Sequence, residues 1–176
     1  GCEQGLPIEI VTNGLLLDAA LARAFAELGV SQVAVSLDGA DPDSYASVRG
    51  AGFGAAAEAA RLLVEARRRT RRPMAVGAAF VATRRNVDSL PGLLKFAQDL
   101  QLDFVSVSNV VPHTAEMAAE TLWRQAAWAT TFRPQGWRPQ VMMGHLDVED
   151  RTLPALVAIA ASGPVFPPSW LDGGAG

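Results

Sequence analysis

Short apolar segments that alternate with helical patterns constrain the fold of this 176-residue chain most strongly. Most of them are apolar on both faces, which is typical of parallel strands covered by helices. The predicted strands are Ile8–Thr12, Gln32–Leu37, Met74–Val81, Phe104–Ser108 and Gln140–Met143. Strands and helices alternating at this cadence predict right-handed βαβ crossovers. The expected fold class is therefore α/β with a parallel sheet.

Helical patterns fill the intervals between these strands. Asp18 is the expected N-cap of the first helix, and Gly29 is its expected stop. Further helices are predicted at Ala55–Arg69 and Ser89–Leu100, and near Ala115–Trp128 and Thr152–Ala161. The arginine-rich run Arg67–Arg72 is interpreted as the solvated end of a helix rather than as an anion-binding patch.

Composition excludes several classes of partner. The net charge of −3 gives no reason to expect nucleic acid, and no apolar stretch is long enough for a membrane span. A single cysteine, Cys2, excludes a disulfide framework and favours a reducing compartment, so a cytoplasmic location is expected. The opening residues show no signal-peptide pattern. Because the chain begins without Met and soon enters a strand, we also expect it to be truncated.

Polar residues gather at the carboxyl end of each predicted strand. Thr12 and Asn13 follow the first strand, and Ser36 and Asp38 lie at the end of the second. The third leads into Thr83 and Asn86, and the fourth into Ser108 and Asn109. The carboxyl ends of parallel strands form the ligand-binding face of α/β folds, so a small-molecule site is predicted here. Two glycines, Gly14 and Gly39, would allow close backbone approach at this edge.

The motif VTNGLLLD (Val11–Asp18), followed by VAVSLDGADPDSYASVRG (Val33–Gly50), resembles the middle of a radical S-adenosylmethionine (SAM) barrel. Enzymes of that superfamily have one strand that ends in TNG. Their next strand ends in a serine and an Asp-Gly pair, followed by a short D-P turn that closes on Arg-Gly. The segment Phe80–Asn109 resembles the strand, helix and strand that follow. Val107–Met117 further resembles maturases with a C-terminal auxiliary-cluster domain, particularly those proposed to serve tungsten aldehyde oxidoreductases.

The resemblance implies a partial (β/α) barrel, a truncated TIM-barrel-like radical SAM core. Residues 1–163 would then hold approximately strands three to seven of the barrel with their helices. Residues 164–176 would form a linker or tail toward a missing C-terminal domain. Because the missing second strand would pair with Ile8–Thr12, the isolated chain is expected to expose a strand edge there and to aggregate.

The resemblance also implies roles for residues at the strand ends. Ser36 and Asp38 would lie near the ribose and methionine parts of SAM, and Thr12 and Asn13 would line the barrel mouth beside it. Ser108 and Asn109 would flank the adenine or the substrate. Hydroxyl and carboxylate groups are natural hydrogen-bonding partners of ribose hydroxyls and of an amino group.

The chain departs from the family pattern at the iron–sulfur cluster. The CxxxCxxC loop and the glycine-rich GGE segment would both lie before Gly1, and auxiliary-cluster cysteines would lie beyond Gly176. A [4Fe-4S] cluster of this type needs three cysteine thiolates, so this chain alone cannot hold it. Cys2 is interpreted as an incidental thiol. His113 and His145 have no cysteine or carboxylate at ligand spacing, so no metal ligand or catalytic residue is assigned within the chain.

The expected parent protein is a radical SAM enzyme that reductively cleaves SAM at a [4Fe-4S] cluster to start radical chemistry on a peptide, protein or cofactor precursor. The chain itself is expected to be inactive. Two alternatives remain open. One is a (β/α)-barrel aldolase or isomerase, although the single lysine, Lys95, lies on a predicted helix and leaves no candidate for Schiff-base chemistry. The other is a non-catalytic barrel remnant or small-molecule-binding module.

Overall fold

A computed structural model describes residues 6–110, 113–120, 130–132 and 140–143 of the chain. The strands are β1 Glu9–Thr12, β2 Gln32–Ser36, β3 Ala75–Ala82, β4 Phe104–Asn109, β5 Thr130–Phe132 and β6 Gln140–Met143. The helices are α1 Ala19–Glu27, α2 Pro42–Arg49, α3 Phe53–Thr70, α4 Leu90–Leu100 and α5 Ala115–Ala119. Within these ranges, no helix is long and apolar enough to cross a membrane.

The six strands form one sheet in the order β1-β2-β3-β4-β6-β5. Each neighbouring pair from β1 to β4 is parallel, as is the pair of β4 with β6, whereas β5 runs antiparallel beside β6. This confirms the predicted α/β class with parallel strands, and the architecture is that of part of a (β/α) barrel.

The predicted strands agree with β1 to β4 and β6 to within one residue at each end. Two of these strands and α-helices were not predicted. The segment expected to be a turn between Asp41 and Gly50 is the helix α2, and β5 was missed. Of the helix expected near Ala115–Trp128, the described part is helical over Ala115–Ala119. The remainder of that helix and the one expected at Thr152–Ala161 lie outside the described residues.

Side-chain caps explain where α1 and α2 begin. The Asp18 carboxylate accepts a hydrogen bond from the amide of Leu21 at 2.7 Å, which confirms it as the N-cap of α1. The Asp41 carboxylate accepts from the amide of Ser44 at 2.9 Å, and the Ser44 hydroxyl accepts from the amide of Asp41 at 3.2 Å. With Pro42 in the first turn, this reciprocal capping favours a helix over a simple turn.

The sheet carries its helices on one face. Alternate strand residues pack against α1, α3 and α4 in a single apolar core, and these are Val33, Val35, Leu37, Val76, Ala78, Phe80, Ala82, Val105 and Val107. The residues between them point to the opposite face, because side chains alternate along a strand. That opposite face carries Ser36, Ser106 and Ser108, and we call it the serine face.

An aspartate ties the amino ends of β3 and β4 to α3. Asp103 Oδ2 accepts a hydrogen bond from the amide of Val76 at 2.9 Å and pairs with the guanidinium of Arg67. Arg67 also donates to the carbonyl of Gln101 at 3.1 Å. We call Asp103, Arg67 and the Val76 amide the floor clamp. The expectation that the arginine run is simply solvated therefore needs correcting at Arg67, whose side chain is only 19% exposed.

In the described part of the chain, β1 is an edge strand that pairs with β2 alone. The side chain of Val11 on this edge is exposed, with a relative accessibility of 69% for the residue. We expect the isolated chain to self-associate through β1, and the substitution Val11→Lys to reduce this, because an edge charge opposes strand pairing. Light scattering as a function of concentration measures the effect. The control is Leu28→Lys, which removes a similarly exposed apolar side chain from just after α1; an equal effect there would contradict edge pairing.

Candidate functional site

Four buried polar residues lie close to the carboxyl ends of β2 and β3. They are Ser36, Asp38, Thr83 and Asn86, with exposures between 1% and 7%. Tyr45, which is 2% exposed, adds a hydroxyl group to the buried polar groups of this region. Burial of polar groups is costly unless they are hydrogen-bonded, so each one needs a partner or a ligand.

Asp38 uses both of its carboxylate oxygens within the protein. Its Oδ1 accepts a hydrogen bond from the amide of Val81 on β3 at 2.6 Å, and its Oδ2 pairs with Nε of Arg49, the last residue of α2. We call Asp38, Arg49 and the Val81 amide the mouth clamp. The carboxylate side chain is 2% exposed and the Arg49 side chain 32% exposed, so the pair lies where the protein interior meets solvent.

Asn86 joins the ends of the same two strands through their backbones. Its Nδ2 donates to the carbonyls of Asp38 and Val81, each at 3.0 Å. Its Oδ1 accepts from the amide of Thr83 at 2.8 Å and from the Thr83 hydroxyl at 3.0 Å. Every polar atom of the Asn86 side chain is therefore used in fixing the loop that follows β3.

Ser36 is the exception among the four buried polar residues. Its hydroxyl has no hydrogen-bond partner among the described residues, although the residue is only 7% exposed. On the serine face it lies in the same row as Ala79 and Ser106, and Ser108 lies one row further toward the carboxyl ends, beside Val81. The arrangement leaves hydroxyl groups on one face of the sheet, next to small side chains.

An aromatic ring lies one row nearer the amino ends of the strands. Ala34, Gly77 and Phe104 are in register on the serine face, and Phe104 is 4% exposed. A Cβ added to Gly77 would lie within 2.5 Å of Cε1 of Phe104, so the ring packs directly over the Gly77 backbone. Phe104 therefore provides an apolar base beneath the row that contains Ser36 and Ser106.

The structure places the remaining predicted residues differently. Thr12 is in register with Val35, on the helix-covered face, and its hydroxyl accepts from the amide of Gly14 at 3.1 Å. Asn13 is exposed, and its side chain accepts from the amide of Leu15 at 3.1 Å. Asn109 is the last residue of β4, with its backbone beside Ala82. Ser36 and Ser108 thus share the serine face, whereas Thr12 does not reach it.

Gly14 and Gly39 both allow a close approach, but the approaching groups are helices of the protein rather than a ligand. Gly14 has a φ of 76°, and an added Cβ there would lie 2.8 Å from Cβ of Ala59 on α3. At Gly39 an added Cβ would lie within 2.6 Å of the α2 backbone at Ser44 and Tyr45. These glycines therefore fix helices against the ends of β1 and β2 rather than leaving room for a ligand.

Sequence reasoning missed two residues of this site. Ser106 shares a row with Ser36, and strict alternation back from Ser108 along β4 would have identified it. Arg49 was recognised only as part of a motif. Its pairing with Asp38 depends on α2 folding as a helix, which places the end of that helix beside the end of β2.

Tyr45 lies in the core beside the mouth clamp, with its ring 5.9 Å from that of Phe53 in an edge-on arrangement. Burial raises the pKa of Tyr45 above 10.0, with the Arg49 charge opposing this shift and the Asp38 charge adding to it. A raised pKa in the folded state stabilises the fold below the unfolded pKa, and that contribution is lost as pH rises through the folded value.

Tyr45 is the single tyrosine of the chain, so its titration can be followed alone. We expect the phenolate absorbance of the folded chain to rise with a midpoint above 10.0 and to return toward 10.0 in denaturant. The Tyr45→Phe variant serves as the blank. A folded midpoint at or below the unfolded one would contradict the burial of this hydroxyl.

The residues at this edge fit SAM better than they fit a metal cluster. Hydroxyl groups without a hydrogen-bond partner among the described residues can hydrogen-bond ribose hydroxyls or an amino group. By contrast, the described ranges contain no group of three or more His, Cys, Asp or Glu side chains arranged to hold a metal ion. With one cysteine in the sequence, the thiolates of a [4Fe-4S] cluster cannot all come from this chain.

Comparisons with known proteins bear on the same question, the cofactor of this site. No protein-family model matches the chain. It is 32% identical over 124 residues to the tungsten-containing aldehyde ferredoxin oxidoreductase cofactor-modifying protein of Pyrococcus furiosus, a match that covers 69% of this chain and 35% of that protein. The chain thus spans about a third of the length of this relative.

Two solved structures share the fold. One is SuiB of Streptococcus suis bound to S-adenosylmethionine, with a TM-score of 0.53 and 18% identity over 64% of this chain and 25% of that one. The other is anSMEcpe with bound SAM and the Kp18Cys peptide, with a TM-score of 0.51 and 14% identity over 94% of this chain and 38% of that one. The resemblance of this chain to the radical SAM superfamily, predicted from its motifs, is confirmed.

Proposed function

We propose that this chain is the middle of the SAM-binding core of a radical SAM enzyme, with the serine face toward the cofactor. Residues 1–163 would supply part of the barrel, and residues 164–176 would lead toward a further domain. The observation that carries the proposal is the Ser36 hydroxyl, which has no hydrogen-bond partner among the described residues, in a residue that is only 7% exposed at the carboxyl edge of a parallel sheet.

The chemistry of the serine face supports SAM as the ligand. Ser36 and Ser108 would donate to or accept from the ribose and methionine groups, and Asn13 and Asn109 would border the same mouth. The apolar ring of Phe104 would close the site from below and keep water from it. When bound, SAM supplies the 5′-deoxyadenosyl group for radical chemistry, and the chain's own residues bind and orient it.

A [4Fe-4S] cluster belongs to this proposal as a component held outside the chain, since its thiolates are not present here. The substrate class we propose is a peptide, protein or cofactor precursor. The relative from Pyrococcus furiosus is described as cofactor-modifying, and the anSMEcpe structure contains a peptide as well as SAM. A cytoplasmic location is part of the proposal, on the ground that a chain with one cysteine carries no disulfide framework.

A non-catalytic module that binds a small molecule is the second candidate. The serine face is compatible with it, because its hydroxyl groups could hold a ligand without any cluster. The two candidates differ in one measurable property, since only the first predicts turnover of SAM by the complete protein.

The binding half of the proposal is tested at Ser36. We expect Ser36→Val in the complete protein to weaken SAM binding by about five- to tenfold, the value of one hydrogen bond to a buried ligand. Isothermal titration calorimetry with SAM measures the affinity. The control is Ser47→Val on the exposed surface of α2, where the hydroxyl donates only to the Ser44 carbonyl at 2.7 Å. Equal affinities for the Ser36 variant and the wild type would count against a site on the serine face.

A further inference from the structure

Two clamps of the same chemical design hold opposite ends of β3. In each, an aspartate accepts the amide of a β3 residue and pairs with an arginine at or near the carboxyl end of a helix. The mouth clamp joins Asp38 to Val81 and Arg49, and the floor clamp joins Asp103 to Val76 and Arg67. Only the mouth clamp lies at the carboxyl edge of the sheet. A comparison of the two clamps therefore measures what such a clamp contributes at that edge.

The mouth clamp lies where the regular pairing of β2 and β3 ends. The Leu37 amide still donates to the Ala79 carbonyl at 2.9 Å, but the next available β3 amide, that of Val81, donates to the Asp38 side chain. A carboxylate thus takes the position of a main-chain acceptor between the two strands. Asn86 bridges the same two backbones from the loop that follows β3.

Both oxygens of Asp38 are occupied in this way, which leaves the carboxylate poorly placed for a direct contact with a cofactor. Ser36 lies two residues earlier in the chain, and its hydroxyl has no hydrogen-bond partner among the described residues. On β3, Val81 lies in register with Ser108. The clamp therefore connects the β2 segment that carries Ser36 to the β3 residue that lies beside Ser108 of β4.

We propose that Asp38 and Arg49 are positioning residues, which set the spacing of the β2 and β3 ends so that Ser36 and Ser108 meet SAM, and that they do not contact the cofactor themselves. The inference rests on the proposed function, because the ligand is SAM in both. It assigns Arg49 a role that depends on its pairing with a buried carboxylate rather than on attraction to an anionic ligand.

Matched variants in the complete protein test the proposal. Asp38→Asn keeps an acceptor for the Val81 amide and removes the ion pair, and Asp103→Asn makes the same change in the floor clamp. Arg49→Gln removes the cation from the mouth clamp, and Arg67→Gln removes it from the floor clamp. Arg49→Lys keeps the positive charge but lacks the planar guanidinium group. SAM affinity is measured by calorimetry well below the melting temperature of every variant, and melting temperatures are recorded alongside.

We expect Asp38→Asn and Arg49→Gln to weaken SAM binding about tenfold, since misplacement of binding groups is costly even without a lost contact. Arg49→Lys should recover part of this loss. The floor variants should lower the melting temperature and leave SAM affinity unchanged. If Asp38→Asn does not fold, the two Arg49 variants carry the comparison, because the Arg49 side chain reaches solvent.

Two outcomes would overturn the inference while the proposed function stands. In the first, the wild type binds SAM and the mouth variants bind it equally well. In the second, the floor variants weaken SAM binding as much as the mouth variants do, which would make both clamps merely structural. A wild-type protein that does not bind SAM would instead overturn the proposed function and this inference with it.

Discussion

Gly39→Ala is expected to disrupt the fold at the carboxyl end of β2. A methyl group there would lie within 2.6 Å of Ser44 C and Tyr45 Cα, which are backbone atoms of α2 and cannot rotate away. To admit it, α2 must shift as a unit, which would separate Arg49 from Asp38. We expect a loss of about 3 kcal/mol or more in the free energy of unfolding, at or above the upper end of the range for overpacking.

Chemical denaturation of the two proteins measures this loss. The control is Gly54→Ala, because Gly54 lies in the first turn of α3 and an added Cβ would meet nothing within 4 Å. Alanine should there be neutral or stabilising by up to about 1 kcal/mol. A Gly39→Ala variant as stable as the wild type would show that α2 does not pack against this glycine.

Phe104→Ala is expected to have a comparably large effect from the opposite side of the sheet. The ring is 4% exposed and packs over Gly77, so its removal leaves a cavity beneath the serine face. The expected loss is about 3 to 5 kcal/mol in the free energy of unfolding. SAM binding should weaken as well, because the base of the site collapses or fills with water.

The pairing of Phe104 with Gly77 allows a second test of the same packing. Gly77→Ala should destabilise the wild type, since the new methyl group meets the ring within 2.5 Å at Cε1. Combined with Phe104→Leu, it should cost less than the sum of the two single changes, because a smaller side chain makes room for the methyl group. Additive losses, measured by denaturation of the four proteins, would contradict direct packing.

The periodicity of the sequence predicted the main strands of the sheet well, but it did not predict β5 or α2. Strands such as Gln32–Ser36 are buried apolar runs, and burial on both faces leaves a clear signal in the sequence. The short strand Thr130–Phe132 leaves no such signal, since three residues cannot show a period. The helix α2 was missed because Asp41, Pro42 and Ser44 are equally typical of turns and of helix starts.

Residues of the candidate site were named from the sequence, whereas their positions in the sheet and their contacts were not. The resemblance pointed to Ser36 and Ser108, and the register of β2, β3 and β4 places both on one face. It pointed also to Thr12, yet the alternation of β1 places that residue beside Val35, under the helices. The partners of Asp38 could not be predicted from sequence spacing, because Val81 is 43 residues away and the contact depends on how two strands diverge.

Reductive cleavage of SAM by the complete gene product tests the central claim most directly. The protein is reconstituted anaerobically with iron and sulfide, given SAM and a one-electron reductant, and the 5′-deoxyadenosine formed is quantified by chromatography. We expect 5′-deoxyadenosine from the complete protein, less of it from Ser36→Val at limiting SAM, and none from this chain alone. A reconstituted, folded complete protein that forms none would contradict the account and favour the non-catalytic binding module.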